Sequence, residues 1–327
     1  MFWRKKTARR RDNDLVLFFA SDLHGSTLCF KKFVNAARFY GANVLVLGGD
    51  VTGKAVVSVA EQNHGTYLSQ FSGEEIRLKD EAELADFATR VSNMGFYPSV
   101  MTEREFRELR DDGEAQARLF KRLVIERIRE WCDYASERLT GSDVQLITAP
   151  GNDDFVEIDE VLKQVPFVQF HEMEVTELYG YQILHCGGST PTPWNTEREY
   201  TESEYETKFE SLIPQVKDMT RCIFNVHVPP HETALDVCPK LDENLQVVYQ
   251  MGTPVSMHAG STAVRAAIER YQPLVSLHGH IHEGRGTIKI GKTVCVNPGS
   301  AYPEGILQGV LITLDGSEVR TVQLTQG

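Results

Sequence analysis

The chain has no apolar run near the roughly 18 residues that a bilayer-spanning helix needs, so it reads as a protein without a helical membrane span. It has no Cys-x-x-Cys pair. Its six cysteines stand singly at 29, 132, 186, 222, 238 and 295, and they read as separate thiols in a reducing, cytoplasmic setting. The even count permits disulfides without arguing for them. No repeat of solenoid length and no low-complexity tract is present. With 13 Pro and 25 Gly a collagen-like chain is excluded, and 41% apolar residues exclude disorder throughout.

Basic charge is also scarce. The 327 residues carry a formal −12, and the first thirteen alone carry +5 (Arg4, Lys5, Lys6, Arg9, Arg10 and Arg11 against Asp12), which leaves −17 for the remainder. So acidic a body disfavours general nucleic-acid binding, because affinity for a polyanion comes from basic surface. Residues 1–13 are expected to form a basic flexible tail, solvated or touching an anionic surface. They do not resemble a secretory signal, since no apolar stretch separates them from Asp12-Asn13-Asp14.

What is present is a series of short apolar runs at 15–20, 43–47, 144–149, 181–185, 222–226 and 274–277. Each is bounded by polar residues, Gly or Pro, as buried strands are. Between them lie amphipathic stretches at 27–40, 114–139 and 261–271, so the expected class is α/β, with helices layered on sheet. Beyond about 286 four strand-like runs alternate with Gly turns at 291 and 316, which reads as a C-terminal antiparallel meander. The 14–327 stretch is expected to be one domain. Its segment at about 54–113 is polar and Glu-rich, with helix-like pieces near 75–92 and 102–110. It is too long for an ordinary connection, so it reads as an insertion: a cap, an oligomer contact or a surface excursion.

The apolar runs end on chemistry. The first leads to Asp22-Leu23-His24, the second to Gly48-Gly49-Asp50, and the third to Gly151-Asn152-Asp153-Asp154. The run at 222–226 leads to His227, and that at 274–277 leads to Gly279-His280-Ile281-His282. The carboxyl ends of strands are where α/β sheets place ligand sites. The glycines at 48, 49, 151 and 279 are expected to let the backbone turn there. Four imidazoles, two carboxylates and one amide suit two divalent ions bound together, and N/O donors without thiolate favour Mn, Fe or Zn, with Co or Ni also suitable. Such a centre would attract phosphate despite the acidic body.

In order and spacing these five motifs resemble the calcineurin-like metallophosphoesterase superfamily, over about 15–300. The Gly-Asn-Asp-Asp version, with His227-Val-Pro-Pro-His231 and Asn297-Pro298-Gly299-Ser300, is most similar to prokaryotic phosphoesterases of unassigned substrate. The resemblance implies a four-layer α/β/β/α sandwich of two mixed sheets flanked by helices. It implies that Asp22, His24 and His282 hold one metal, that Asn152, His227 and His280 hold the other, and that Asp50 bridges. A metal-bridging hydroxide would then attack phosphorus in line.

Asp153 departs from the pattern, since many members carry His there. A carboxylate beside two dications is a poor proton donor at neutral pH and repels a dianionic monoester more than a diester, so small phosphodiesters, nucleotide-like ones included, are the expected substrates. His231 and His258 are further candidates for the acid or phosphate contact, against surface roles. Asp154 is expected to orient a ligand, and His278 to be a packed core histidine. Lys54 would be a weak substitute for the arginine that protein phosphatases carry after their second motif, lacking its bidentate fork. A phosphomonoesterase and a non-catalytic binding protein remain as alternatives, and a homo-oligomer is compatible with either.

Overall fold

The computed structural model describes residues 15–165 and 167–327; the basic stretch at 1–13 lies outside them. The first of two six-stranded mixed sheets runs edge to edge as β20 (Glu318–Gln326), β19 (Gln308–Asp315), β1 (Leu15–Ala20), β2 (Val44–Leu47), β7 (Gln145–Thr148) and β8 (Val168–Phe170). The second runs as β17 (Gly286–Ile290), β18 (Thr293–Asn297), β16 (Val275–Leu277), β11 (Cys222–Val226), β10 (Tyr181–Cys186) and β9 (Glu174–Leu178).

The period-two geometry of the strands sorts the apolar residues. Leu15, Leu17 and Phe19 of β1 meet Tyr181, Ile183, Ile223 and Val275 from the second sheet in one core. Val16, Phe18 and Ala20 turn the other way, onto helices α1 (Thr27–Tyr40), α4 (Gly113–Leu139) and α5 (Glu157–Lys163). Leu184, Phe224 and Val226 face α6 (Glu202–Leu212) and α7 (Thr262–Tyr271) in a third cluster. Strands buried on both faces read as continuous apolar runs for this reason.

Two expectations change. The four C-terminal strands are not one meander. They form two antiparallel hairpins, β17–β18 in the second sheet and β19–β20 in the first, where β19 pairs antiparallel with β1. Local turn signals specify each hairpin, but the segment from 298 to 307 carries the chain from one sheet to the other. The 54–113 segment holds α2 (Glu81–Asn93) and α3 (Glu103–Arg110) as expected. It also forms an unexpected four-stranded sheet, ordered β5 (Glu74–Leu78), β4 (Tyr67–Phe71), β3 (Val56–Glu61), β6 (Tyr97–Thr102). Val57, Val59, Tyr67, Phe87 and Val91 give it a small core of its own. Two ribbons, β12 (Val237–Pro239) with β15 (Ser256–His258) and β13 (Tyr249–Gln250) with β14 (Thr253–Pro254), complete an arm between β11 and α7. The six cysteines are free thiols, and no described helix is long and apolar enough to cross a membrane.

Candidate metal centre

The loops after β1 and β2 are laddered together. Asp22 N–H donates to Gly49 O (3.0 Å), His24 N–H to Asp50 O (2.9 Å) and Gly25 N–H to Val51 O (2.9 Å). Asp22, His24, Asp50 and His280 all have positive φ, at 57°, 41°, 48° and 66°. That left-handed conformation is costly for residues with a Cβ and collects at functional sites. Of the glycines expected to ease turns, only Gly49 has positive φ (118°). Gly151 and Gly279 are required for space instead: a Cβ would lie 2.1 Å from Asp50 Oδ1 in the first case and 2.1 Å from Ser21 Oγ in the second.

The strand ends bring the expected ligands together. Asp22, His24 and His282 offer donor atoms within 4.8 Å of one another, as do Asp50, His227 and His280, and a third such group joins His24, Asp50 and Asp153. His24 Nε2 lies 3.0 Å from His282 Nε2 and 3.7 Å from Asp50 Oδ2, and His227 Nε2 lies 3.4 Å from Asp50 Oδ2. Asn152 is oriented by its amide, which donates to Thr196 Oγ1 (3.0 Å) and Asp153 Oδ1 (3.1 Å). Its Oδ1 is left buried without a hydrogen-bond partner. His227 is oriented in the same way: Nδ1–H donates to Gly48 O (2.9 Å), and Nε2 is left buried without one. Buried polar atoms are normally satisfied, so two unpartnered atoms, an amide oxygen and an imidazole nitrogen, beside two carboxylates fit divalent cations, with the ion taking the place of any proton on His227.

Electrostatics lead to the same conclusion. Burial opposes the charge on Asp22, yet the hydrogen bond with His282 and the nearby His227 outweigh it and hold the carboxyl well below its ordinary value. Burial also opposes a proton on His227, but Asp50 pulls its pKa up to about 10. Burial pushes His280 down to about 4 and His24 well below its ordinary value. The cluster thus demands positive charge while keeping two imidazoles neutral, as metal ligation requires.

Supporting residues surround it. The fully buried Asp154 carboxylate accepts N–H from Gly151 (2.9 Å), Val51 (3.1 Å) and Thr52 (2.9 Å), fastening the third motif to the second. Ser300 Oγ–H donates to Asp22 O (2.6 Å). Asn297 Nδ2 donates to Gly279 O (3.2 Å), Ile281 O (2.9 Å) and Leu235 O (3.3 Å), tying the His280 loop to the arm. His278 is a packed core residue, with Nδ1 2.8 Å from Val226 O.

His231 and His258 are brought to each other, ring centroids 5.8 Å apart. Both meet the buried Asp236 carboxylate, His258 Nδ1 at 2.8 Å and His231 Nδ1 at 3.5 Å. Sequence reasoning missed Tyr302, whose ring lies 4.9 Å from that of His24 and edge-on to His282 at 6.0 Å; its Tyr-Pro-Glu setting carries no ligand signature. It also undervalued Lys54. The ammonium is 3.0 Å from Asp153 Oδ2, so the carboxylate expected to repel a dianion has a cation beside it.

No family model matches the chain. The uncharacterized protein MJ1162 of Methanocaldococcus jannaschii is 32% identical to it over 177 residues, covering 54% of this chain and 69% of the relative. The chain belongs to the MJ1162 family. Solved structures share the fold of this MJ1162-family chain at lower identity. One is 18% identical, covers 96% of this chain and 99% of that one, and superposes with a TM-score of 0.58. Another, TT1561 of Thermus thermophilus, is 16% identical, covers 95% and 97%, and gives 0.53.

Proposed function

We propose that this protein is a dinuclear-metal phosphodiesterase of the calcineurin-like superfamily, acting on small or nucleotide-like diesters. In this reading 14–327 forms one four-layer α/β/β/α domain bearing the 54–113 insertion. The observation that carries the proposal is the pair of buried, unpartnered atoms Asn152 Oδ1 and His227 Nε2, the latter within 3.9 Å of Asp22 and 3.4 Å of Asp50. Asp22, His24 and His282 would hold one ion, Asn152, His227 and His280 the other, with Asp50 between them. Once bound, the ions would activate water and neutralise charge on phosphate oxygens.

The protein's own groups divide the remaining work. Asp154 and Thr196 keep Asn152 aimed, and Gly48 O fixes the tautomer of His227. Asp153, engaged by Lys54, accepts hydrogen bonds rather than supplying a proton, so esters with good leaving groups are favoured. His231 and His258, hinged on Asp236, would serve as proton donors or phosphate contacts from the arm. A second reading, phosphomonoester hydrolysis, draws support from Lys54, whose charge offsets the repulsion of a dianion by Asp153.

The test is hydrolysis of bis-p-nitrophenyl phosphate against p-nitrophenyl phosphate by protein stripped of metal and reloaded with Mn, Zn, Fe(II), Co or Ni. Asp50→Ala serves as the control. We expect metal-dependent diester turnover, with metal affinity reduced by more than about 100-fold in the control. Monoester preference would move the assignment to the second reading. Absence of turnover in protein holding two ions would leave a binding role.

A further inference from the structure

A groove of about 520 Å³ lies between β3, α3 and α4, and Lys54 is part of its lining. We infer that this groove receives the organic substituent of the phosphoester, an apolar or aromatic group, while the phosphate sits at the metal centre. The inference rests on the phosphoester reading above and adds a substrate class to it.

Lys54 joins the two places. It lines the groove, and its ammonium meets Asp153 Oδ2 at 3.0 Å. The Asp153 N–H in turn donates to Asp50 Oδ1 at 2.9 Å, so Asp153 ties Lys54 to the ligand cluster. Pockets of this volume with apolar walls and a few polar groups are typical of small-molecule sites.

The walls match such an occupant. Phe106 and Leu109 are the apolar residues of α3, whose other six positions are charged (Glu103–Arg110), and neither is fully buried. The helix packs against α4, β3 and β6 on this side, and Phe106 and Leu109 stay only half-buried at the groove they line. Opposite them, Phe120 of α4 packs edge-on to Tyr97 (5.6 Å) and to Phe155 (5.4 Å). Phe155 lies outside the groove lining but follows directly on Asp153-Asp154, so Phe120 of the wall rests against the residue next to the third motif. Lys54 and Arg110, each also paired with a carboxylate (Asp153 and Asp111), place two cations on the groove, where an anionic ester with an apolar body can meet them.

Calorimetric titration of metal-loaded protein with methylphosphonate and phenylphosphonate tests this. Phenylphosphonate should bind at least about tenfold more tightly. Phe106→Ala and Leu109→Gln should each bring the ratio below about threefold with circular-dichroism melts unchanged. Equal affinities in the wild type, a ratio that survives both substitutions, or failure of both phosphonates to bind would overturn the inference. Bis-p-nitrophenyl phosphate hydrolysis, measured on the same preparations, separates the two claims. Lost or absent hydrolysis with the binding ratio intact strikes at the reaction; turnover without a ratio strikes at the groove alone.

Discussion

The ligand-bearing loops and the four-stranded sheet of the insertion are built on different constraints. In the loops, backbone groups bond to backbone groups and a buried carboxylate satisfies three N–H donors, so each residue is fixed by several others. In the insertion, a cluster of six buried side chains supplies the core, and much of its surface is paired charge such as Arg104 with Glu108. Exposed pairs of that kind contribute little. The loops hold atoms in place at the expense of strain, whereas the insertion holds a surface in place and tolerates change.

Asp154→Ala should have the largest effect on the metal-free protein. It strips the acceptor from Val51, Thr52 and Gly151 N–H groups in a buried setting and should destabilise by about 3 kcal/mol in urea denaturation. If the loss is under about 1 kcal/mol, the loops are not as interlocked as described.

The same chemical change at two glycines sharpens the contrast. Gly151→Ala drives a methyl into Asp50 and should cost about 2 kcal/mol. Gly113→Ala, at the open first turn of α4 with nothing within 4 Å, should stabilise by about 0.5 kcal/mol. Opposite signs in paired melts are the expected result, and equal shifts would erase the distinction. The smallest loss belongs to the insertion: Thr102→Ala removes the capping box of α3 and should cost about 1 kcal/mol or less, with metal content unaltered.

Much of the centre was legible because each ligand type follows directly on an apolar run, and the runs are strands buried on both faces. The insertion sheet was not. Its strands are short and polar on one face, as in Glu74–Leu78, and one contains Pro98, which the edge position of β6 tolerates. Tyr302 and the pairing of Lys54 with Asp153 escaped because they lie in what a residue faces across the fold, which local pattern does not encode. At Gly151 and Gly279 a neighbour's atoms leave no room for a side chain, a reason that local pattern cannot carry. The split of the C-terminal strands between two sheets is likewise a matter of long-range pairing.

That pairing bears on synthesis. Leu15 of β1 lies opposite Leu314 of β19, so β1 waits for a strand made much later to complete its sheet. Asp22 and His24 hang from the end of that strand, and Asp22 is pinned by Ser300. A nascent chain halted just before residue 300 would already carry every candidate ligand from Asp22 to His282. Its first sheet would still lack β19 and β20, with β1 exposed as an edge and Asp22 without its pin. Long-range closure of this kind is slow and exposes strands to wrong partners. The candidate ligand cluster therefore depends on a strand pairing that becomes possible only after its last ligand has been made.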